Sequence, residues 1–174
     1  ACNGRVFVSD SRQGKVWAFD ADLGGGRAIA SDISRPSGLA CTGRYLVVAE
    51  TGLHRVLVLD HAGVLQFTLG RRGKRSGEFN FPTALAARDN VLWVGDTLNF
   101  RVQKVDLGTR QFLAEFGDLG DTPGDLPRTK GLAVDGEGRI WISDGILDVV
   151  SVFGAEGQFL ASYGKGGEEP GEFG

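Results

Sequence analysis

An all-β fold is predicted by three features of the chain. Short apolar runs ending in an acidic residue recur four times, each followed about ten residues later by a second such run. Glycine is abundant, at 28 of 174 residues, and is spread along the chain, which marks many tight turns rather than one flexible linker. No stretch places apolar residues at i, i+3, i+4 and i+7 over three turns, the mark of an amphipathic helix. The acidic residues are Asp10, Glu50, Asp96 and Asp144, about 40 to 48 positions apart. A repeat of that length, read as strands, implies a radial or stacked β architecture.

The unit from Pro36 to Phe81 is read in order. Pro36-Ser37-Gly38-Leu39-Ala40 is a short opening strand, and Thr42-Gly43 turns into a second strand over Tyr45 to Ala49. Glu50 to His54 is the next turn, Arg55 to Asp60 the third strand, and Val64 to Leu69 the fourth. Apolar runs of this length bounded by Gly, Asp and Asn are the strand signature. Four antiparallel strands per unit is a propeller blade. The next unit, from Pro82 to Leu126, repeats the pattern, and the last opens at Pro127. Blades are thus expected over about 1–35, 36–81, 82–126 and 127–174, all within one domain over 1–174. Trp93 and Trp141 hold the same place in successive second strands and are expected to be buried between blades. Trp141→Ala should then cost roughly 3–5 kcal/mol. Gly77-Glu78-Phe79, Gly124-Asp125-Leu126 and Gly171-Glu172-Phe173 also rhyme, and their last residues are expected to plug against the next blade.

Composition bounds the partners. The hydrophobic share of 41% supports a real core, and the net charge of −3 gives no bulk attraction for nucleic acid or anionic membrane. No apolar run is long enough to span a bilayer. Cys2 and Cys41 lie in matching segments, Ala1-Cys2-Asn3-Gly4-Arg5 and Ala40-Cys41-Thr42-Gly43-Arg44. The simplest reading is two small, half-buried repeat-equivalent residues. A disulfide and a lipoprotein processing site are the alternatives.

The turn Asp96-Thr97-Leu98-Asn99-Phe100-Arg101-Val102, with Phe116-Gly117 closing its unit, resembles the NHL repeat. Glu50 to Val56 is close, with Leu53 at the usual Asn. Asp10 to Val16 carries Gln13 and Lys15 at the Asn and Arg places, and Asp144 to Val150 departs most, with Leu147 and Val149 there. The resemblance covers essentially the whole chain and implies a β-propeller, usually of six blades, of which about four NHL-type blades are present. The first unit lacks its opening Pro-x-Gly-Leu, so a segment of a six-bladed propeller is expected. Its open blade faces would be covered by further blades, a protein partner or self-association.

The acidic set Asp10, Glu50, Asp96 and Asp144 sits at one level and could suggest a metal ring. Strand-end carboxylates more often accept backbone N–H bonds across their turns, and here they can also pair with Arg55 and Arg101. His54 and His61 are the only histidines and have no ligand-spaced partner in the sequence. No nucleophile–base set or metal motif is visible. The sequence therefore predicts no catalytic residue, no metal and no cofactor. Arg71, Arg72, Lys74 and Arg75 form one basic loop, the candidate interaction loop. Equivalent loops are acidic, which weighs against nucleic acid. The expected role is a non-enzymatic scaffold for protein–protein interaction or assembly, bacterial and periplasmic or extracellular by analogy with such families. The alternatives are a lactonase- or lyase-like propeller enzyme with its active site outside this segment, and an RNA-binding NHL propeller.

Overall fold

The computed structural model describes residues 2–173. Its strands form four antiparallel sheets in chain order. The first is three-stranded: β1 (Arg5–Asp10), β2 (Lys15–Asp20) and β3 (Arg27–Ala30). The second holds β4 (Pro36–Cys41), β5 (Leu46–Glu50), β6 (Arg55–Leu59) and β7 (Leu65–Leu69). The third holds β8 (Pro82–Arg88), β9 (Val91–Asp96), β10 (Arg101–Asp106) and β11 (Phe112–Phe116). The fourth holds β12 (Thr129–Val134), β13 (Ile140–Asp144), β14 (Val149–Phe153) and β15 (Phe159–Tyr163). Each sheet is a meander in which sequence neighbours pair, so every blade is local in sequence. The only helical pieces among the described residues are two single 3₁₀ turns, Thr51–Leu53 and Thr97–Asn99. This is the architecture of propeller blades.

The blades stack because each middle sheet has two apolar faces. In β5 every residue is buried. Leu46 and Val48 point into a cluster with Val16 and Ile33 of the first blade. Val47 and Ala49, on the opposite face, join a cluster with Leu85, Leu92 and Val94 of the third. A strand covered on both faces reads as a continuous apolar run rather than an alternating one. The inner strands approach closely: a Cβ added to Gly38 would lie 2.5 Å from the Thr83 carbonyl oxygen, so a side chain there would push the blades apart.

The outer blades differ on their free faces. Trp93 is buried, in the seam with Ile140, Ile142, Leu126 and Phe153. Trp141 is only half-buried, which corrects the expectation that both tryptophans lie between blades. By register it points to the face turned away from the third blade, where its ring stacks on Tyr163 at 6.0 Å and its Nε1 donates to Asp135 at 2.9 Å. The plug residues divide likewise. Phe79 and Leu126 are buried, whereas Phe173 is 45% exposed. At the other end, Val8, Trp17 and Phe19 line an open cleft of about 550 Å³ on the outer face of the first blade.

The fourth blade also departs from its sequence reading. Pro36 and Pro82 pair with Glu50 and Asp96, and the residue paired with Asp144 is Thr129. Thr129, not Pro127, therefore holds the opening-proline position. Pro127 stands two residues earlier, in the place of Ser34 and Asn80.

Trp93→Ala should lower stability by about 3–5 kcal/mol, since it opens a cavity in a closed seam. Trp141→Ala should cost about 1–2 kcal/mol, since less area leaves water and no closed cavity forms. Urea unfolding of the two variants checks the ranking, and equal losses would mean that Trp141 is covered.

Candidate functional site

The candidate residues gather on one face of the blades, where the turns after the second strands meet the inter-blade loops. The reason is local. Each second strand ends in a carboxylate, and the next residues make one tight turn that closes on a left-handed residue: Gly14, His54, Phe100 and Asp148. Asp96 is fully buried. It accepts from the Asn80 amide at 2.6 Å, Asn99 Nδ2 at 2.8 Å, Arg101 Nε at 3.0 Å and Gln103 Nε2 at 3.1 Å. Three of these four donors fall on Oδ2 and one on Oδ1, which ties the buried carboxylate to its turn, the following strand and the arriving loop.

The other acids do the same with fewer partners. Glu50 accepts from the Ser34 amide at 2.8 Å and pairs with Arg55 Nε. Asp144 accepts from the amides of Arg128 at 2.6 Å, Ile146 at 2.8 Å and Leu147 at 3.1 Å. Here the first donor has moved by one residue. Ser34 and Asn80 donate in their blades, but Pro127 has no N–H, so Arg128 supplies it. Asp10 accepts only from the amides of its own turn, Arg12 at 3.0 Å and Gln13 at 2.8 Å. The four carboxylates thus stand at one level without converging on a common point.

Arg101 carries this turn to the basic loop. Its Nη2 donates to the carbonyls of Arg75 at 2.8 Å and Glu78 at 3.0 Å, and its Nη1 pairs with Glu115 at 2.8 Å. Asn99 Nδ2 donates to the Gly73 carbonyl at 2.8 Å. The loop also closes on itself, with the Phe79 amide donating to the Arg71 carbonyl at 2.8 Å. Arg71 is not a free cation: it pairs with Glu78 at 3.0 Å. Arg72, Lys74 and Arg75 are exposed on this pinned backbone. The N–H of Arg75 and the Arg71 guanidinium hold the Glu78 carboxyl below its ordinary range. The same arrangement recurs at Asp125, held down by the Thr122 hydroxyl and amide, and at Glu172, held down by Lys165 and the Glu169 amide. His54 sits beside the loop, buried, with Nδ1 accepting from the Phe81 amide at 3.1 Å. Burial first, and then Arg72, push its pKa down, so the ring is neutral at pH 7.

The opposite face holds what the sequence reading missed. Cys2 and Cys41 form a disulfide between the first two blades, with Cα atoms 6.2 Å apart. This corrects the reading of two unlinked small residues. Repeat-equivalent positions in adjacent blades come side by side at the inner edge, and here both positions are cysteine. His61, in the turn after β6, lies against the pair, with Nε2 3.4 Å from Cys41 Sγ and 3.9 Å from Cys2 Sγ. The only sequence signal was the matching Ala-Cys-x-Gly-Arg context of the two cysteines.

Two outcomes are expected of the acidic face. Asp96→Ala should cost roughly 3–5 kcal/mol, because it leaves buried Arg101 and the Asn80 amide without their acceptor. Asp10→Ala, at a half-exposed turn, should cost roughly 1–2 kcal/mol. For Glu78, the folded carboxyl titrates below its ordinary 4.5. Its contribution is therefore full above about pH 4.5 and lost as pH falls through the depressed folded value. The melting temperature of Glu78→Gln should lie below wild type at neutral pH and converge with it in acid; a gap that persists at pH 2 would contradict this.

No family model matches the chain. Among curated proteins it is similar to NHL repeat-containing protein 2 of Gallus gallus, 38% identical over 73 residues, covering 38% of this chain and 10% of that protein. The Homo sapiens protein of that name is 38% identical over 69 residues, covering 36% and 10%. Protein brain tumor of Drosophila melanogaster is 27% identical over 134 residues, covering 75% and 12%. The chain thus spans only about a tenth of these relatives. Among solved structures, a streptogramin B lyase structure superposes with a TM-score of 0.71 at 13% identity, over 94% of this chain and 52% of that one. Kuenenia stuttgartiensis hydrazine synthase gives 0.70 at 15% identity, over 91% and 45%. At these identities the structural likeness speaks for the fold alone. The repeated acid–turn–arginine pattern, the four blade sheets and the matches to NHL proteins together make this chain similar to the NHL-repeat β-propellers.

Proposed function

We propose that the chain is part of a non-enzymatic protein-binding scaffold, and that the loop bearing Arg72, Lys74 and Arg75 is its contact. One observation carries this reading: the buried Asp96–Arg101 pair clamps the loop backbone while leaving those three cations exposed. A loop held rigid before contact loses little entropy on binding. A partner with an acidic surface is the matching chemistry. The strand-end carboxylates are instead engaged by backbone amides of the arriving segments. The likeness to streptogramin B lyase is one of fold, and function does not follow from fold.

The free faces at Val8, Trp17 and Phe19, and at Trp141 and Tyr163, fit a closed six-bladed ring completed by further blades. The bacterial origin expected from the sequence gains no support, since the matched NHL relatives are animal proteins. An extracytoplasmic setting is part of the proposal, supported by the Cys2–Cys41 disulfide, a bond that persists in oxidising compartments.

Charge reversal tests the reading. Arg72→Glu/Lys74→Glu/Arg75→Glu should fold as wild type by circular dichroism. In cross-linking within the source cells it should lose the protein partners that wild type retains. Identical cross-linked sets would remove this loop as the contact. Salt-dependent binding of single-stranded RNA by wild type, abolished in the same variant, would replace the protein partner with RNA.

A further inference from the structure

We propose that Cys2, Cys41, His61 and the Thr42 carbonyl form a zinc site that opens when the disulfide is reduced. The argument is geometric. Tetrahedral zinc, with Zn–S about 2.3 Å and Zn–N or Zn–O about 2.0 Å, sets S···N and S···O edges near 3.5 Å and an N···O edge near 3.3 Å. Here His61 Nε2 is 3.4 and 3.9 Å from the two sulfurs. The Thr42 oxygen is 3.5 Å from each sulfur and 3.1 Å from His61 Nε2. Five of the six edges of a zinc tetrahedron are therefore in place. The sixth, S···S, is closed by the covalent bond and must widen to about 3.8 Å. A cavity of about 230 Å³ lined by both cysteines, Phe7, Leu39, Ala40 and Leu46 gives the sulfurs room to separate.

The donors are placed by three different parts of the chain. Cys2 bridges to Arg5 at the start of the first blade, Cys41 ends β4, and His61 begins the turn after β6. The seam is singular among the described blades. By register, the positions equivalent to Cys41 are Ala87 and Val134, and the position equivalent to His61 in the third blade is Leu107. The later seams therefore lack the equivalent donor set.

The chemistry balances. A dithiol reductant gives two electrons and two protons to the Cys2–Cys41 bond, which breaks to two thiols as the reductant closes its own disulfide. Zn²⁺ then displaces both thiol protons and accepts the lone pair of neutral His61 Nε2. Nδ1 must then carry the ring proton. Asn3, whose amide lies 3.0 Å from Nδ1, accepts it once its side-chain amide rotates to present oxygen. Disulfide and zinc are thus alternative closures of one seam, the first suited to oxidising and the second to reducing surroundings.

Native mass spectrometry with competition from a chromophoric zinc chelator tests this on the whole chain, oxidised or reduced with a phosphine. The reduced chain should hold one zinc and the oxidised chain none. Co²⁺ should give a thiolate charge-transfer band only after reduction. His61→Ala retains the disulfide, and its reduced form should bind at least tenfold more weakly. Equal binding by His61→Ala, zinc held equally by the oxidised chain, or no zinc on the reduced chain would each overturn the site. If reduction unfolds the chain, zinc must restore its sheet spectrum; failure to do so would also overturn it.

Discussion

The carboxylate that ends each second strand is the joint on which the blades depend. Across the blades it contacts up to three separate pieces: its own turn, the arginine that opens the third strand, and the segment arriving from the previous blade. At Asp96 all three contacts are present, and the ion pair is buried almost completely. A buried ion pair adds little net stability but is costly to break. Its main effect is to fix one arrangement of turn and loop, in which the Asn80 amide, Asn99 Nδ2, Arg101 and Gln103 share one acceptor.

The rest of that face follows. Because Arg101 must also satisfy the carbonyls of Arg75 and Glu78, the basic loop inherits the position of the strand beneath it. Each carboxylate of the Glu78 type then folds its own loop through the N–H groups of the turn. The face is therefore a set of rigid loops of differing charge on a common frame, which suits recognition. The same contacts commit its acids to turn, loop and arginine donors. Reactive groups lie instead on the opposite face, where cysteine and histidine replace the small and apolar residues used elsewhere.

Some features needed no structure to find. The strand-end acids, the arginines two strands deep and the loop cations are linked over short sequence distances, and pairing within a meander follows from that locality. The opening of the fourth blade was not legible. Proline is normally the opening residue there, and only the pairing of Thr129 with Asp144 shows that Pro127 occupies a donor position it cannot fill. The donation then passes to Arg128.

What the sequence determined by itself was the period of strands and turns, and hence the blade, because the contacts that make a blade join neighbouring strands. What only the tertiary structure decided was contact across seams. Trp93 and Trp141 have the same local context, yet one is buried and the other half-buried, since burial depends on which sheet lies opposite. Cys2 and Cys41 share a local context, but nothing local joins them to each other or to His61. They meet because stacking two blades brings the end of an inner strand, its repeat equivalent and a turn from the outer half of the sheet to one point.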